Sequence, residues 1–376
     1  MACCEHWLWV SIFIYYREED VIMSSLDLID RFRDKVNEND FILFKYQDVQ
    51  GKDKWSCICS AMDWITVAIE YISDVRNGKR SCLQSMEMFA YIASIDVVWE
   101  AVQQLHRVLF NTNQIPFKNE NECFQEKILE EDDNDYFKTL RASFGAHPVN
   151  LNGKEKGEKY FASWSGDMLG DYSVLLYSNK VGNGFRTMYL KMNELNKFLD
   201  KRYGYLNQLM DEIDRQYEEF KQKMGNIPIE RSDNICEQLE ILKDASSKRL
   251  DLHNTLIDKL IMIFNVPITN KENEKMVNEY KEALKLVVGQ IYNSLQTLDC
   301  EGVDYDVMYQ TTKKLQNGYG YYIEKISSYI YGTGYPSTFW EPRLQEIFRD
   351  HFVMEYSNYE EMYILIISCI HKLNRI

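Results

Sequence analysis

An arginine and a histidine near the middle of the chain have the side chains needed to act on a phosphodiester. Arg141 and His147 lie six positions apart, at the end of a segment with helical periodicity. A guanidinium can hold two phosphate oxygens at once, and an imidazole can exchange a proton near neutral pH. No other stretch of the sequence brings together a comparable set of reactive groups. We therefore take Arg141 and His147 as the candidate catalytic residues, and we expect neither a metal site nor a cofactor beside them.

The residues around this pair predict that a helix ends between its two members. Pro148 biases His147 away from helical dihedral angles, and Gly145 offers the left-handed conformation that commonly ends a helix. On one continuous helix the two side chains would point about 120° apart. An ending at Gly145 would let His147 turn back toward Arg141. The spacing alone is weak evidence, because roughly 0.7 Arg–His pairs at one of three such separations are expected by chance in this chain.

The distribution of charge favours binding of a polyanion near Arg141 and His147. The whole chain carries a formal charge of -15, which argues against a general nucleic-acid coat protein. Residues 138–202 nevertheless contain 11 Lys and Arg against 6 Asp and Glu, a net charge of +5. The acidic run at residues 130–135 is interpreted as the N-terminal cap of the next helix rather than as a cation site. An alternative stays open, in which Arg141 pairs with this run and His147 only caps its own helix.

The hydrophobic periodicity predicts a mainly α fold with a small antiparallel β-hairpin or meander insertion. One helix is expected from Lys52 to Asn77-Gly78 and a second over about 81–110, antiparallel to the first. Only 6 prolines and 17 glycines in 376 residues favour long helices. Before the first long helix, the sequence predicts a short helix followed by an extended segment at 41–46. After the second, it predicts a helix over 134–145 and strands over 160–165, 171–178 and 185–192, with a turn at Asn183-Gly184. The second half is predicted to be helical, with an unbroken helix ending at Gly225, an apolar helical face over 235–263, and helices near 272–298, 303–331, 338–352 and 358–374.

Four segments follow from this pattern. Residues 1–22 are interpreted as an N-terminal extension, since Met23-Ser-Ser looks like an ordinary start; the apolar run Trp7–Tyr16 lacks a preceding basic region and is a poor signal peptide. Residues 23–150 form a helical domain, 151–191 the β-hairpin or meander insertion, and 192–376 a C-terminal helical bundle. No stretch reaches the roughly 20 apolar residues of a membrane span. The 9 scattered cysteines are typical of reduced thiols in a cytoplasmic protein.

Two further sets of residues allow a functional and a structural interpretation. Arg249 and His253 interrupt an apolar seam, and we interpret them as a buried polar layer that sets helix register rather than as a second site. The tyrosines of segment 317–335 could stack nucleic-acid bases, but such side chains more often pack a core. His106 is expected to be a core histidine, and Asp96 with Glu100 could orient the catalytic pair.

Two antiparallel helices, a connecting loop and a further helix bearing Arg-x5-His resemble the HEPN superfamily. The resemblance covers roughly residues 50–150 and makes the N-terminal region an HEPN-like helical domain. Members of the family are mostly metal-independent ribonucleases, found as toxins, abortive-infection effectors and RNA-targeting effector subunits. Arg141 and His147 match the paired residues of the family. Ala142 stands where the family commonly has a polar residue.

The resemblance implies an endoribonuclease that uses the 2′-hydroxyl of its substrate and leaves a 2′,3′-cyclic phosphate. His147 would move protons between the attacking oxygen, solvent and the leaving 5′-oxygen, while Arg141 would stabilise charge on the phosphoryl group. The resemblance also implies RNA and a second copy of the chain as partners, and it admits a cognate antitoxin or regulatory protein. The setting would be bacterial stress or phage defence. The competing hypothesis is a non-catalytic helical interaction protein that retains the scaffold.

Overall fold

The computed structural model describes residues 25–77, 85–128, 130–152, 157–165, 171–299, 302–308, 310–315, 318–332 and 337–375. Contacts divide the chain into two compact units, Met1–Tyr217 and Glu218–Ile376. The fold is mainly helical with one small antiparallel sheet, as predicted. The expected N-terminal extension at 1–22 and the predicted helix end at Gly78 lie outside the described residues.

The first unit is built on two long antiparallel helices. Its helices are α1 (Asp27–Asn37), α2 (Phe41–Tyr46), α3 (Trp55–Arg76), α4 (Ser85–Leu109), α5 (Asp133–Arg141), α6 (Met192–Tyr203) and the larger part of α7 (Leu206–Gly225). Lys54, just before α3, contacts Asn111, just after α4, and Arg76 at the other end of α3 contacts Tyr91. The predicted antiparallel pair is therefore confirmed. Its apolar seams are buried, because their spacing puts them on one face of each helix.

A four-stranded sheet follows α5; it confirms the three predicted strands and adds a short first strand that was not predicted. Its strands are β1 (Leu151–Asn152), β2 (Lys159–Ser165), β3 (Tyr172–Ser178) and β4 (Phe185–Leu190). They pair in chain order and all neighbours are antiparallel, so the sheet is a meander. Gly182 and Gly184 take positive φ angles of 90° and 64° in the loop between β3 and β4. Glycine adopts these angles without strain, which explains the turn signal in the sequence.

A fully buried arginine lies in the core of the first unit. The guanidinium of Arg202 lies 3.4 Å from the ring centre of Phe198 and 5.1 Å from that of Trp99. It donates two hydrogen bonds to Asn134 Oδ1, at 3.2 and 2.6 Å. A buried charge is expensive unless it is paired and hydrogen-bonded. The aromatic faces and the Asn134 amide oxygen together supply that compensation.

The second unit is helical and surrounds an apolar C-terminal helix. Its elements are α8 (Ile235–Ser247), α9 (Asn254–Asn265), α10 (Lys271–Thr297), a 3-10 turn (Tyr305–Val307), α11 (Tyr319–Ile330), α12 (Ser337–Phe348) and α13 (Tyr359–Arg375). Every residue from Glu361 to His371 of α13 is buried. A helix that is buried all round is a core helix. The residues packed around it come mainly from α10 and α11, with a smaller share from α9.

A buried glutamate joins two loops of the second unit. The carboxylate of Glu361 accepts hydrogen bonds from the backbone and hydroxyl of Thr269 and from those of Ser357, at 2.5 to 2.8 Å. Burial acts to raise the pKa of Glu361, but these four hydrogen bonds outweigh it and lower the pKa below its usual value. The carboxylate therefore stabilises the fold in its ionised form.

Three sequence predictions about helix extent are wrong. Phe41–Tyr46 is a short helix rather than an extended segment, because Asp40 turns the chain at a φ of 54° and the Asn39 side chain accepts from the Phe41 amide. The predicted unbroken helix before Gly225 is divided at Gly204 and Tyr205 into α6 and α7. Of the described residues in the predicted helix over 303–331, those at Tyr305–Val307 and Tyr319–Ile330 are helical and the others are not.

The predicted polar layer of Arg249 and His253 is also wrong. The helix ends at Ser247 and a tight turn follows, in which Leu250, Asp251 and His253 have positive φ angles. Arg249 donates to the backbone oxygens of Met224 and Ile227, at 3.3 and 2.8 Å. Arg249 thus binds backbone oxygens at the end of α7, and His253 lies in the turn before α9. The apolar spacing continued across the turn because α8 and α9 face the same core.

Candidate functional site

Arg141 is the last residue of α5, a short helix with a well-formed N-terminus. The Asp132 side chain accepts a hydrogen bond from the Asp135 amide at 2.9 Å, so the acidic run caps the helix as predicted. The buried carboxylate of Asp133 accepts from two amides of the preceding loop, at 2.7 and 2.8 Å, and pairs with Lys127. These bonds hold α5 in place and present Arg141 at its carboxyl end.

The guanidinium of Arg141 forms a close ion pair with Asp96 of α4. The side chain of Arg141 is 35% exposed and that of Asp96 is 17% exposed, so the pair is partly open to solvent. The alternative partner, the acidic run at 130–135, is therefore wrong. Burial raises the pKa of Asp96 above its usual value, while Arg141 opposes the shift and Glu100 adds to it.

The chain between Arg141 and His147 continues as a helix of a different kind. Residues Ala142–Ala146 form a π-helical turn, and the His147 amide donates to Ala142 O at 3.1 Å, a five-residue step. Gly145 lies inside this turn and does not take a left-handed angle, so the predicted helix end at Gly145 is wrong. The helix ends at His147, whose φ of -142° and ψ of 44° are non-helical, as the following proline predicts.

Close packing, not backbone freedom, explains why a glycine stands at position 145. A Cβ atom built on Gly145 would lie 1.9 Å from Cδ2 of Phe89, far inside van der Waals contact. The aromatic ring of α4 thus covers the π-helical turn directly. Ser143 and Phe144 are buried, and Phe144 packs edge-on against Trp164 of β2 with ring centres 5.5 Å apart.

The two candidate residues differ in their surroundings. His147 is exposed, and its side chain makes no hydrogen bond or ion pair with any of the residues that the structure describes. Among those residues, no hydrogen bond or ion pair joins Arg141 to His147 either. The imidazole is therefore open to an external ligand, while the guanidinium is shared between Asp96 and solvent. The π-helical turn sets the separation between them.

Two concave surfaces flank the segment. A cavity of about 340 Å³ lies between α4, the π-helical turn and the sheet, and its lining includes Phe89, Phe144, Pro148 and Trp164. A groove of about 350 Å³ runs between α3 and α4, and Asp96 and Glu100 line it together with Trp64. Asp96 therefore connects Arg141 to the groove. The sequence contained a signal for this residue, because Asp96 and Glu100 share one face of α4 beside its apolar seam.

Three other histidines of the described part of the chain serve local structure. His106 Nδ1 lies 2.9 Å from the Tyr205 hydroxyl, in keeping with a packed structural role. His253 contacts Ser294 through Nε2 at 2.7 Å and Tyr305 through Nδ1 at 2.9 Å. His371 is buried against the Tyr280 ring. In the described part of the chain, no three His, Cys, Asp or Glu side chains are grouped as metal ligands.

No helix among the described residues combines the length and apolar character needed to cross a membrane. Comparison with protein-family models, with curated proteins and with solved structures gives no match to this chain.

Proposed function

We propose that this chain is a metal-independent endoribonuclease of the HEPN type, with Arg141 and His147 as its catalytic residues. One observation carries the proposal. A partly exposed guanidinium and an exposed imidazole with no hydrogen-bond partner among the described residues stand at the two ends of a single π-helical turn. π-Helical turns are rare and frequently occur at functional sites. The local excess of basic residues over 138–202 would attract a polyanionic substrate to this part of an acidic chain.

The proposed reaction uses the groups of the substrate, these two side chains and one further proton carrier. The 2′-hydroxyl oxygen attacks the adjacent phosphorus, its proton passes to a base, and the bond from phosphorus to the 5′-oxygen breaks. His147 carries one of the two protons, either from the 2′-hydroxyl or to the leaving 5′-oxygen, and solvent or the imidazole of a second copy carries the other, which yields a 2′,3′-cyclic phosphate and a 5′-hydroxyl. Arg141 stabilises the charge that builds on the non-bridging oxygens. To do so, it exchanges part of its contact with Asp96 for the phosphate.

The resemblance supplies the partners of this proposal. A second copy of the chain would bring a second Arg–His pair to the same cleft, so that one imidazole removes a proton while the other donates one. A cognate antitoxin or regulatory protein would restrain the activity. The proposed setting is bacterial stress or phage defence in the cytoplasm, and no cofactor is needed.

Cleavage in the absence of metal tests the proposal. Purified protein should cut RNA in EDTA and leave cyclic-phosphate ends, and His147→Ala and Arg141→Ala should each reduce the rate by about 10²- to 10⁴-fold. His371→Ala, at a buried histidine of the second unit, is a specificity control that should keep full cleavage as long as it folds. Unchanged cleavage in His147→Ala, or ends without a cyclic phosphate, would refute the proposal.

The second candidate is a non-catalytic helical interaction protein. The ion pair between Arg141 and Asp96 favours it, because this contact already satisfies part of the guanidinium. The groove between α3 and α4 also exposes Trp64, which is 57% accessible. Under this alternative the purified protein has no ribonuclease activity, and Arg141→Ala changes stability alone.

A further inference from the structure

One face of the sheet presents a row of exposed aromatic side chains. Phe161 of β2 lies directly opposite Tyr177 of β3, and Tyr177 lies directly opposite Phe185 of β4. Their exposed fractions are 42%, 42% and 60%. The rings of Tyr177 and Phe185 are 6.0 Å apart between centres. Because neighbouring strands are about 4.8 Å apart, the three side chains form a row roughly 10 Å long across the sheet.

The packing of the sheet does not require these rings. The opposite face carries the apolar residues that pack inward, since Val174, Leu176, Met188 and Leu190 are all buried. Successive residues of a strand point to opposite faces, so the aromatic row belongs to the outer face by register. Large aromatic side chains grouped on an outer face are expected to bind a ligand or partner, because exposing a contiguous apolar surface to water is unfavourable.

The charges near the row indicate what kind of ligand would fit. Lys180 follows β3 in the loop to β4, at the same end of the sheet as Tyr177 and Phe185, whereas Arg186 belongs to the opposite face by register. Lys159 begins β2 at this end, two residues before Phe161. The nearby acid, Glu158, is buried and hydrogen-bonded to Tyr160. The surface therefore combines exposed flat rings with cations.

We propose that the outer face of this sheet binds unpaired bases of single-stranded RNA, which stack on Phe161, Tyr177 and Phe185 while the flanking cations contact phosphates. An antiparallel sheet with aromatic residues on neighbouring strands is a geometry on which two or three bases can stack. Stacking tolerates any sequence, because every base has a flat face. The inference rests on the proposed ribonuclease function for the identity of the strand as RNA. It adds a substrate-binding surface on the element that follows His147.

Binding can be measured separately from cleavage. The probe is a labelled, unstructured 2′-O-methyl RNA of about 12 nucleotides, within the site sizes of single-strand binders. It lacks the free 2′-hydroxyl that the proposed cleavage requires. Fluorescence anisotropy of this probe with the full-length protein reports affinity alone. Cleavage of unmodified RNA is assayed in parallel.

Alanine and aromatic replacements at the same positions form the decisive comparison. Base–aromatic stacking corresponds to about 5- to 150-fold in affinity for each ring. For partly exposed rings we expect Tyr177→Ala and Phe185→Ala each to weaken binding about tenfold. Tyr177→Phe and Phe185→Tyr keep the ring and should stay within about twofold of the unmodified protein. Tyr321→Ala, at a tyrosine of α11 that is 48% exposed, is the control for loss of any exposed aromatic residue.

Salt dependence and a duplex competitor test the rest of the proposal. Lys159→Gln should reduce the slope of log affinity against log salt by about 0.7, the value for one phosphate contact on a single strand. A duplex of the same sequence should compete poorly, because its bases are already stacked. Equal loss in the alanine and aromatic variants, or full binding by Tyr177→Ala, overturns the proposal. So does a change of oligomeric state in the alanine variants, since the row would then be a protein interface.

The two proposals can fail independently. If the protein binds the probe through the row but cuts no RNA, the ribonuclease assignment fails and the binding surface stands. If the protein cuts RNA and the alanine variants bind the probe normally, the binding surface fails and the ribonuclease assignment stands.

Discussion

Replacing Gly145 by alanine tests how the site is packed. The added methyl carbon would lie 1.9 Å from Cδ2, 2.5 Å from Cε2 and 2.7 Å from Cγ of Phe89. Ordinary carbon contacts are about 3.5 to 4.0 Å. The clash reaches Cγ, at the base of the ring, so a small rotation of the ring tip does not remove it. Either α4 or the π-helical turn that carries His147 must move.

The expected cost follows from two opposing terms. Overpacking of this kind destabilises a protein by about 1–3 kcal/mol. Replacing a helical glycine by alanine offsets roughly 0.5–1 kcal/mol, because alanine loses less backbone freedom on folding. Phe89 borders the cavity of about 340 Å³, which gives its ring some space to move. We therefore expect Gly145→Ala to lower the free energy of unfolding by about 1–2 kcal/mol.

A double-mutant cycle with Phe89→Ala assigns this cost to the named contact. Urea unfolding gives the stability of the four proteins, and hydrogen exchange over residues 141–150 shows whether the change is local. In the Phe89→Ala background the clash is absent, so Gly145→Ala should be neutral or stabilising. The coupling between the two changes should equal the overpacking term alone, about 1–3 kcal/mol.

Gly289→Ala is the matched control. Gly289 is an exposed glycine inside α10, and a Cβ built there meets nothing within 4 Å. This substitution should stabilise the protein by about 0.5–1 kcal/mol. The reasoning would be refuted if Gly145→Ala were as harmless as Gly289→Ala, or if its cost were the same with and without the Phe89 ring.

Three further outcomes are expected. Because hydrogen bonding lowers the pKa of Glu361, the ionised carboxylate adds to the free energy of unfolding above the unfolded-state pKa of about 4.3, and this contribution is lost as the pH falls through the folded-state pKa. Glu361→Gln should therefore flatten the acid side of the stability–pH profile measured by urea unfolding. Asn134→Ala removes both hydrogen bonds that the Asn134 side chain accepts from the buried Arg202 and should lower the free energy of unfolding by about 3 kcal/mol, whereas an exposed change such as Asn207→Ala should stay within about 0.5 kcal/mol. Asp96→Asn should change the free energy of unfolding at pH 7 by less than about 1 kcal/mol. Arg141→Ala should lower it by more, because this change leaves the partly buried carboxylate of Asp96 unpaired. The reverse order in thermal unfolding would contradict the ion-pair geometry.

Much of the secondary structure could be predicted from local spacing. The seams of α3 and α4 repeat every three or four residues, and the strands of the sheet alternate around glycine-containing turns. These patterns report burial on one face of a single element, so they need no knowledge of its neighbours. The same rule failed between α8 and α9, where a turn joins two helices that pack against one core. Periodicity cannot distinguish a bent seam from a straight one.

The candidate site shows where local reasoning ends. Pro148 correctly predicted that His147 leaves the helical conformation, because that restriction is a property of two adjacent residues. Gly145 was expected to end the helix, but its role is contact with Phe89, which is 56 positions away in the chain. A glycine that allows a left-handed turn and a glycine that allows close approach look identical in a sequence.

The amino-acid sequence by itself determined the helical class, the meander, the capping of α5 and the departure of His147 from the helical conformation. Each of these depends on residues within about one or two turns of one another. Tertiary structure alone decided that Arg141 pairs with Asp96, 45 residues away, and that Asn134 compensates the buried charge of Arg202. It also aligned Phe161, Tyr177 and Phe185, because strand register brings separate segments face to face. Tertiary packing determines such partners, and the residues on either side of a position in the sequence do not indicate what it will pack against.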